Sequence, residues 1–175
     1  MEAYKIKGPA KSIILPNGAE ITYAERGEQH EVVAICGAFY HNTFMPVVEG
    51  LAQRYHVYAV VMRFDGVTDQ KNPDGTTHWG NQWGKDIYDF AQALGIQKFH
   101  YIGKCHGTIP GWYLFGSIDP LFKDYLDSNM RLWELTRGCH FTILQGECHL
   151  MELDCPDRVV DEAFAFIDQA HKDYD

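Results

Sequence analysis

Gly103-Lys104-Cys105-His106-Gly107 follows directly on Phe99-His100-Tyr101-Ile102, and the reading of this junction decides the fold. Phe99 to Ile102 is short, aromatic and β-branched, as a buried strand requires, and Gly95 ends the helix expected before it. A strand that turns sharply into a helix crowds its own backbone. Small residues two before and two after the exposed position relieve that crowding. Gly103 and Gly107 stand at those positions around Cys105, so the stretch predicts a tight strand–turn–helix elbow presenting one thiol.

Upstream, Val32-Val33-Ala34-Ile35 is an apolar run leading into Cys36-Gly37-Ala38-Phe39, and Met45 to Ala52 reads as a helix. Val57-Tyr58-Ala59-Val60-Val61 is a further strand, followed by a loop from Arg63 to Asp69. Trp83 to Leu94 carries Ile87, Phe90, Ala91 and Leu94 at helical spacing. Near the start, Asn17-Gly18 lies between Ile13-Ile14-Leu15 and Ile21-Thr22-Tyr23, which predicts a β-hairpin with a type I′ turn. Phe141-Thr142-Ile143-Leu144 reads as the last strand and Val159 to Ile167 as the final helix, with a polar tail expected to fray. The alternation of strands and helices predicts an α/β fold.

The chain has 175 residues, enough to bury a full core in one domain spanning residues 1–175. A net charge of −9 leaves no basic stripe for phosphates, which argues against nucleic acid and anionic membranes as partners. The opening Met-Glu-Ala-Tyr-Lys-Ile-Lys lacks the apolar core of a signal peptide, and no apolar run approaches the ~18 residues of a membrane span. With five cysteines, an odd count, a reduced cytoplasm is the expected location. Three Cys-His dipeptides (Cys105-His106, Cys139-His140, Cys148-His149) invite a zinc reading. Neighbours on a strand point to opposite faces, and no C-x-x-C or H-E-x-x-H accompanies them, so neither metal nor cofactor is expected.

In their order, these motifs resemble the α/β-hydrolases of the lid-bearing kind, over roughly residues 12–113 and 116–168. Cys105 occupies the centre of the nucleophile elbow, where that family carries serine in G-x-S-x-G. Arg63 to Asp69 is similar to its R-G-x-G-x-S-D loop, and Gly37 to its H-G-x oxyanion loop. Cys148-His149-Leu150 is similar to the G-H-x that carries the catalytic histidine, and Asp154-Cys155-Pro156 to the E-x-P after it. The resemblance implies a mostly parallel sheet with helices on both faces behind an N-terminal hairpin.

It also implies the chemistry. A thiol attacks a carbonyl as thiolate, so it needs a base, and His149 takes that role. An acid orients the imidazole. Phe115-Gly116-Ser117-Ile118-Asp119-Pro120 matches the family's G-x-x-D-P-like turn, making Asp119 the acid, with Asp124 and Asp127 as alternatives. The order Cys105, Asp119, His149 is the hydrolase order. Backbone N–H groups of Ala38 and His106 would hold the oxyanion, with Phe39 the second choice for Ala38.

One departure is large. Between elbow and acid the family places a helix, a strand and a helical lid, whereas only sixteen residues separate Ile102 from Asp119. A parallel crossover alone needs about a dozen. Thr108 to Leu114 looks like the start of the helix after the elbow and Phe115 to Asp119 like the end of a later strand, so a seam is expected near Leu114-Phe115. A deletion, an unwritten segment or a reduced fold would each account for it. The reading that results is a hydrolase or acyltransferase acting on a small-molecule ester, lactone or thioester through a Cys105 acyl-enzyme, with a homodimer left open. The alternative is a non-catalytic binder of a small molecule on the same fold.

Overall fold

A computed structural model describes residues 10–38, 41–61, 79–103, 112–116, 140–147 and 149–174. The chain divides into two compact units, Met1–Ile109 and Pro110–Asp175. The first holds strands β1 (Lys11–Ile14), β2 (Glu20–Arg26), β3 (Val33–Ala38), β4 (His56–Val61) and β5 (His100–Gly103). Helix α1 (His41–Leu51) joins β3 to β4, and α2 (Trp79–Ala93) lies between β4 and β5. These strands form one sheet in the order β1-β2-β4-β3-β5. β2 is antiparallel to β1 and β4, whereas β3 is parallel to both β4 and β5. The α/β class with an N-terminal antiparallel hairpin is as the sequence predicts, and the sheet is mixed.

The hairpin forms where expected, with a different turn. The Gly18 N–H donates to Leu15 O (2.9 Å) and the Leu15 N–H to Ala19 O (2.8 Å). Pro16 and Asn17 are therefore the central residues of a three-residue loop, and Gly18 follows them in the left-handed region at φ +83°. This is a type I turn with a bulge, not type I′. Proline is the reason: its φ is locked near −65°, which suits the first central position of a type I turn and fixes the turn one residue early. Asn17 Oδ1 accepts the Ala19 N–H (3.0 Å) and braces it.

From β3 the chain steps one way to β4, then crosses back past β3 to β5. Parallel crossovers are right-handed in nearly all cases, so two that run in opposite directions place their helices on opposite faces. The side chains agree. Tyr23, Ile35, Tyr58 and Val60 pack with Ile87, Phe90 and Ala91 of α2 in one cluster. Phe90 meets Tyr23 edge-on at 5.0 Å and Tyr58 at 5.8 Å between ring centroids. Val57 and Ala59, out of phase with Tyr58 and Val60, are equally buried. α1, with Phe44, Val47, Val48 and Leu51 buried, lies against β3 and β4. At the end of α2, the Gly95 N–H bonds to Gln92 O and the Ile96 N–H to Ala91 O, the paired closure that glycine favours.

The second unit holds β6 (Trp112–Gly116) and β7 (His140–Leu144), parallel to each other, then α3 (Met151–Asp154) and α4 (Pro156–Tyr174). Two expectations are corrected here. Trp112 to Leu114 is strand, not the start of a helix: Trp-Tyr-Leu-Phe is a short aromatic run whose β preference prevails. Leu114 and Phe115 are consecutive residues of that strand, opposite Thr142 and Ile143. The final helix also extends past Ile167 to Tyr174 instead of fraying. It starts with proline, whose missing N–H costs nothing at a helix's first position. Cys155 precedes it and accepts the Arg158 and Val159 N–H groups on its carbonyl.

Candidate active site

Open α/β sheets hold ligands beyond the carboxyl ends of their strands, where the strand order reverses. Here the reversal lies between β3 and β5, whose last parallel pair is Gly37 with Gly103. Ala38, the oxyanion candidate, is the residue after Gly37 and ends β3. Cys105 comes two residues after Gly103 in sequence. The last pair of two side-by-side parallel strands is therefore glycine against glycine, with the oxyanion and nucleophile candidates following in sequence. Cys105 and His106 lie outside the described residues, as do Phe39 and the Arg63–Asp69 loop.

The second unit repeats the arrangement. Gly116 pairs with Leu144 at the carboxyl ends of β6 and β7. Asp119 follows three residues after Gly116, and His149 five after Leu144. Asp119, with its alternatives Asp124 and Asp127, lies outside the described residues. His149 is partly buried in a turn between β7 and α3. Within each unit, the candidate residues thus follow the same edge of adjacent parallel strands.

Solved structures share this architecture. A membrane phospholipase A described as a bacterial virulence factor superposes with a TM-score of 0.71 at 14% identity, covering 93% of this chain and 86% of that one. The carboxylesterase CesB from Bacillus subtilis gives 0.68 at 11%, with 95% and 93% covered. A meta-cleavage product hydrolase from Pseudomonas fluorescens gives 0.68 at 14%, with 91% and 98% covered. The chain has the α/β-hydrolase fold. No family model and no curated protein matches it by sequence.

On this hydrolase fold the described cysteines are of two kinds. Cys36 is fully enclosed opposite Ile102, and burial pushes its thiol up to about 12. Tyr101, beside it on β5, is raised by burial and by the neighbouring Cys36. Cys155 is pushed up to about 11, first by burial and then by its hydrogen bond to the Glu147 carboxylate. Neither is a thiolate near neutral pH, so neither competes for the nucleophile's role. Cys139 and Cys148 lie outside the described residues.

Around His149 the structure adds two residues that sequence reasoning missed. Glu147, two residues before it, is ion-paired with Arg158 in the first turn of α4. No motif links them: they stand eleven residues apart on either side of a short helix, a spacing with no period of its own. Among the described residues, no group of three or more His, Cys, Asp or Glu side chains is placed to hold a metal ion, and no helix is long and apolar enough to cross a membrane.

Proposed function

We propose that this protein is an acyl hydrolase or acyltransferase that works through a thioester on Cys105. The observation that carries the reading is the Gly37–Gly103 pair, the last of the parallel β3–β5 ladder, with Ala38 next after one partner and Cys105 two residues after the other in sequence. The likeness to a carboxylesterase and a phospholipase A supports hydrolytic activity on this fold in general.

In the proposed reaction, His149 takes the Cys105 proton and the thiolate sulfur attacks the carbonyl carbon of an ester, lactone or thioester. The oxyanion is held by the N–H groups of Ala38 and His106. Collapse expels the alkoxide or thiolate, which takes the proton back from His149, and leaves the acyl group on sulfur. Water, or an amine or thiol acceptor, then gives its proton to His149 and attacks the thioester carbonyl. The C–S bond breaks, the acyl group leaves on the acceptor, and His149 returns the proton to the Cys105 sulfur. Asp119 keeps the imidazole in the right tautomer and stabilises its charged form. A thioester reacts readily with amines and thiols, so transfer stands beside hydrolysis.

Intact-mass spectrometry after mixing with a p-nitrophenyl ester tests this. One acyl group should add to the wild type and none to Cys105→Ala. A wild type that binds the ester yet gains no acyl mass would instead be a non-catalytic binder.

A further inference from the structure

We propose that Glu147 is a positioning residue, which with Arg158 clamps the His149 turn to the start of α4. This rests on the proposed role of His149, and the geometry supplies the rest. The turn leaves β7 through Leu144, whose carbonyl accepts the Glu147 N–H at 3.4 Å, a long and weak bond. Beyond His149, Leu150 O accepts the Leu153 and Asp154 N–H groups, and the Cys155 N–H bonds to Met151 O. The far side of the turn is thus tied into α3, and on the near side the Glu147 side chain adds a tie to α4.

Glu147 reaches across to α4. Its Oε1 accepts from Arg158 Nη1, and its carboxylate also takes the Cys155 thiol hydrogen. α4 is a firm base, because Val159, Val160, Ala163 and Ile167 are all buried along one stripe. Arg158 is half exposed, and a pair so exposed adds little to stability. What it does fix is where the chain two residues before His149 sits. A general base has to stay within hydrogen-bond reach of the proton it takes, and misplacement by ~1 Å can cost up to ~100-fold in rate.

The experiment uses the full chain with Glu147→Gln, Arg158→Ala and the swapped pair Glu147→Arg/Arg158→Glu. The His149 ring is followed by ¹³C NMR in the unreacted protein, assigned by its loss in His149→Ala, and Cys105 acylation by stopped flow. Each single variant should shift or broaden the His149 ring signal and slow acylation by ~10-fold or more, with the melting temperature nearly unchanged. The swap should return both to near wild type. Single variants with an unmoved His149 signal would overturn the clamp, as would losses that follow the melting temperature and are not recovered by the swap. Because the ring signal is read before any reaction, a wild type that never acylates would sink the proposed activity and leave this test standing.

Discussion

Gly37 and Gly103 form the last pair of the parallel β3–β5 ladder. Neither contributes a side chain, so at the point where the sheet order reverses the last pair of the ladder is bare backbone. The next residue of one strand is the oxyanion candidate Ala38, and the second residue beyond the other is Cys105. In the proposed reaction the carbonyl needs its nucleophile and its oxyanion donors on the same side of a crevice, and Ala38 and Cys105 follow in sequence on the last pair of two neighbouring parallel strands.

Thiol reactivity follows from the same layout. If Cys105 is the proposed nucleophile with His149 as its base, iodoacetamide near pH 7 should alkylate it first, because a base within reach favours ionisation below the ordinary value of about 8.5. Cys36, enclosed and pushed up to about 12, should stay unlabelled while the protein is folded. Cys155, pushed up to about 11, should react slowly. Peptide mapping of a time course reads the order, and equal labelling of Cys36 and Cys105 would count against the elbow.

The acid is separated from a mere turn residue by comparing turnover with stability. Asp119→Asn should lower the acylation rate by ~100-fold or more while shifting the melting temperature little. His149→Ala should do at least as much damage, and the double variant hardly more, since residues acting as a unit are not additive. If Asp119→Asn unfolds the protein but folded molecules keep their rate, Asp119 serves the turn before Pro120. Asp124 or Asp127 would then be the acid to test.

A third expectation concerns the scaffold. Gly27 follows β2 at φ +65°, and a Cβ there would lie 2.2 Å from the Tyr55 carbonyl oxygen and 2.8 Å from that of Ala52. Both the backbone conformation and the contact exclude a side chain. Gly27→Ala should therefore cost about 3 kcal/mol or more, read as a fall in the urea midpoint. An unchanged midpoint would mean that the approach of Gly27 to the turn between α1 and β4 relaxes freely.

Much of this fold was legible because its signals are local. The α2 stripe of Ile87, Phe90 and Ala91 has helical period, and the short β-branched and aromatic run Val57 to Val61 reads as a strand. The elbow glycines placed β5, and the parallel partner of its last residue then followed from the sheet. What escaped the sequence was set by competition or by distance. Pro16 overrode the Asn17-Gly18 signal by locking its own φ, and Trp112 to Leu114 gave an apolar run too short to tell strand from helix. Glu147 and Arg158 meet only because the turn after β7 comes up to the start of α4, which no spacing announces. Of the candidate site, the strand ends and His149 are described, while Cys105, His106 and Asp119 rest on the motif reading.

The last expectation is a dependence on pH. Glu25 on β2 accepts hydrogen bonds from Lys11 Nζ on β1 and from His56 Nε2 on β4 (2.8 Å), and from the Tyr58 hydroxyl, so one carboxylate ties three strands. Burial alone would raise its pKa, but the Lys11 and His56 donors outweigh that and hold the carboxyl below the usual range. A group with a depressed folded pKa stabilises the fold fully above its unfolded value of about 4.3, and that contribution is lost as pH falls through the folded value. The protein should therefore lose stability below about pH 4.3 more steeply than Glu25→Gln, which has no carboxylate to protonate there. Both should be compared by urea unfolding from pH 6 down to pH 3. The variant should start lower at pH 6 and the two curves should converge toward pH 3, and parallel curves would remove Glu25 from the account of acid stability.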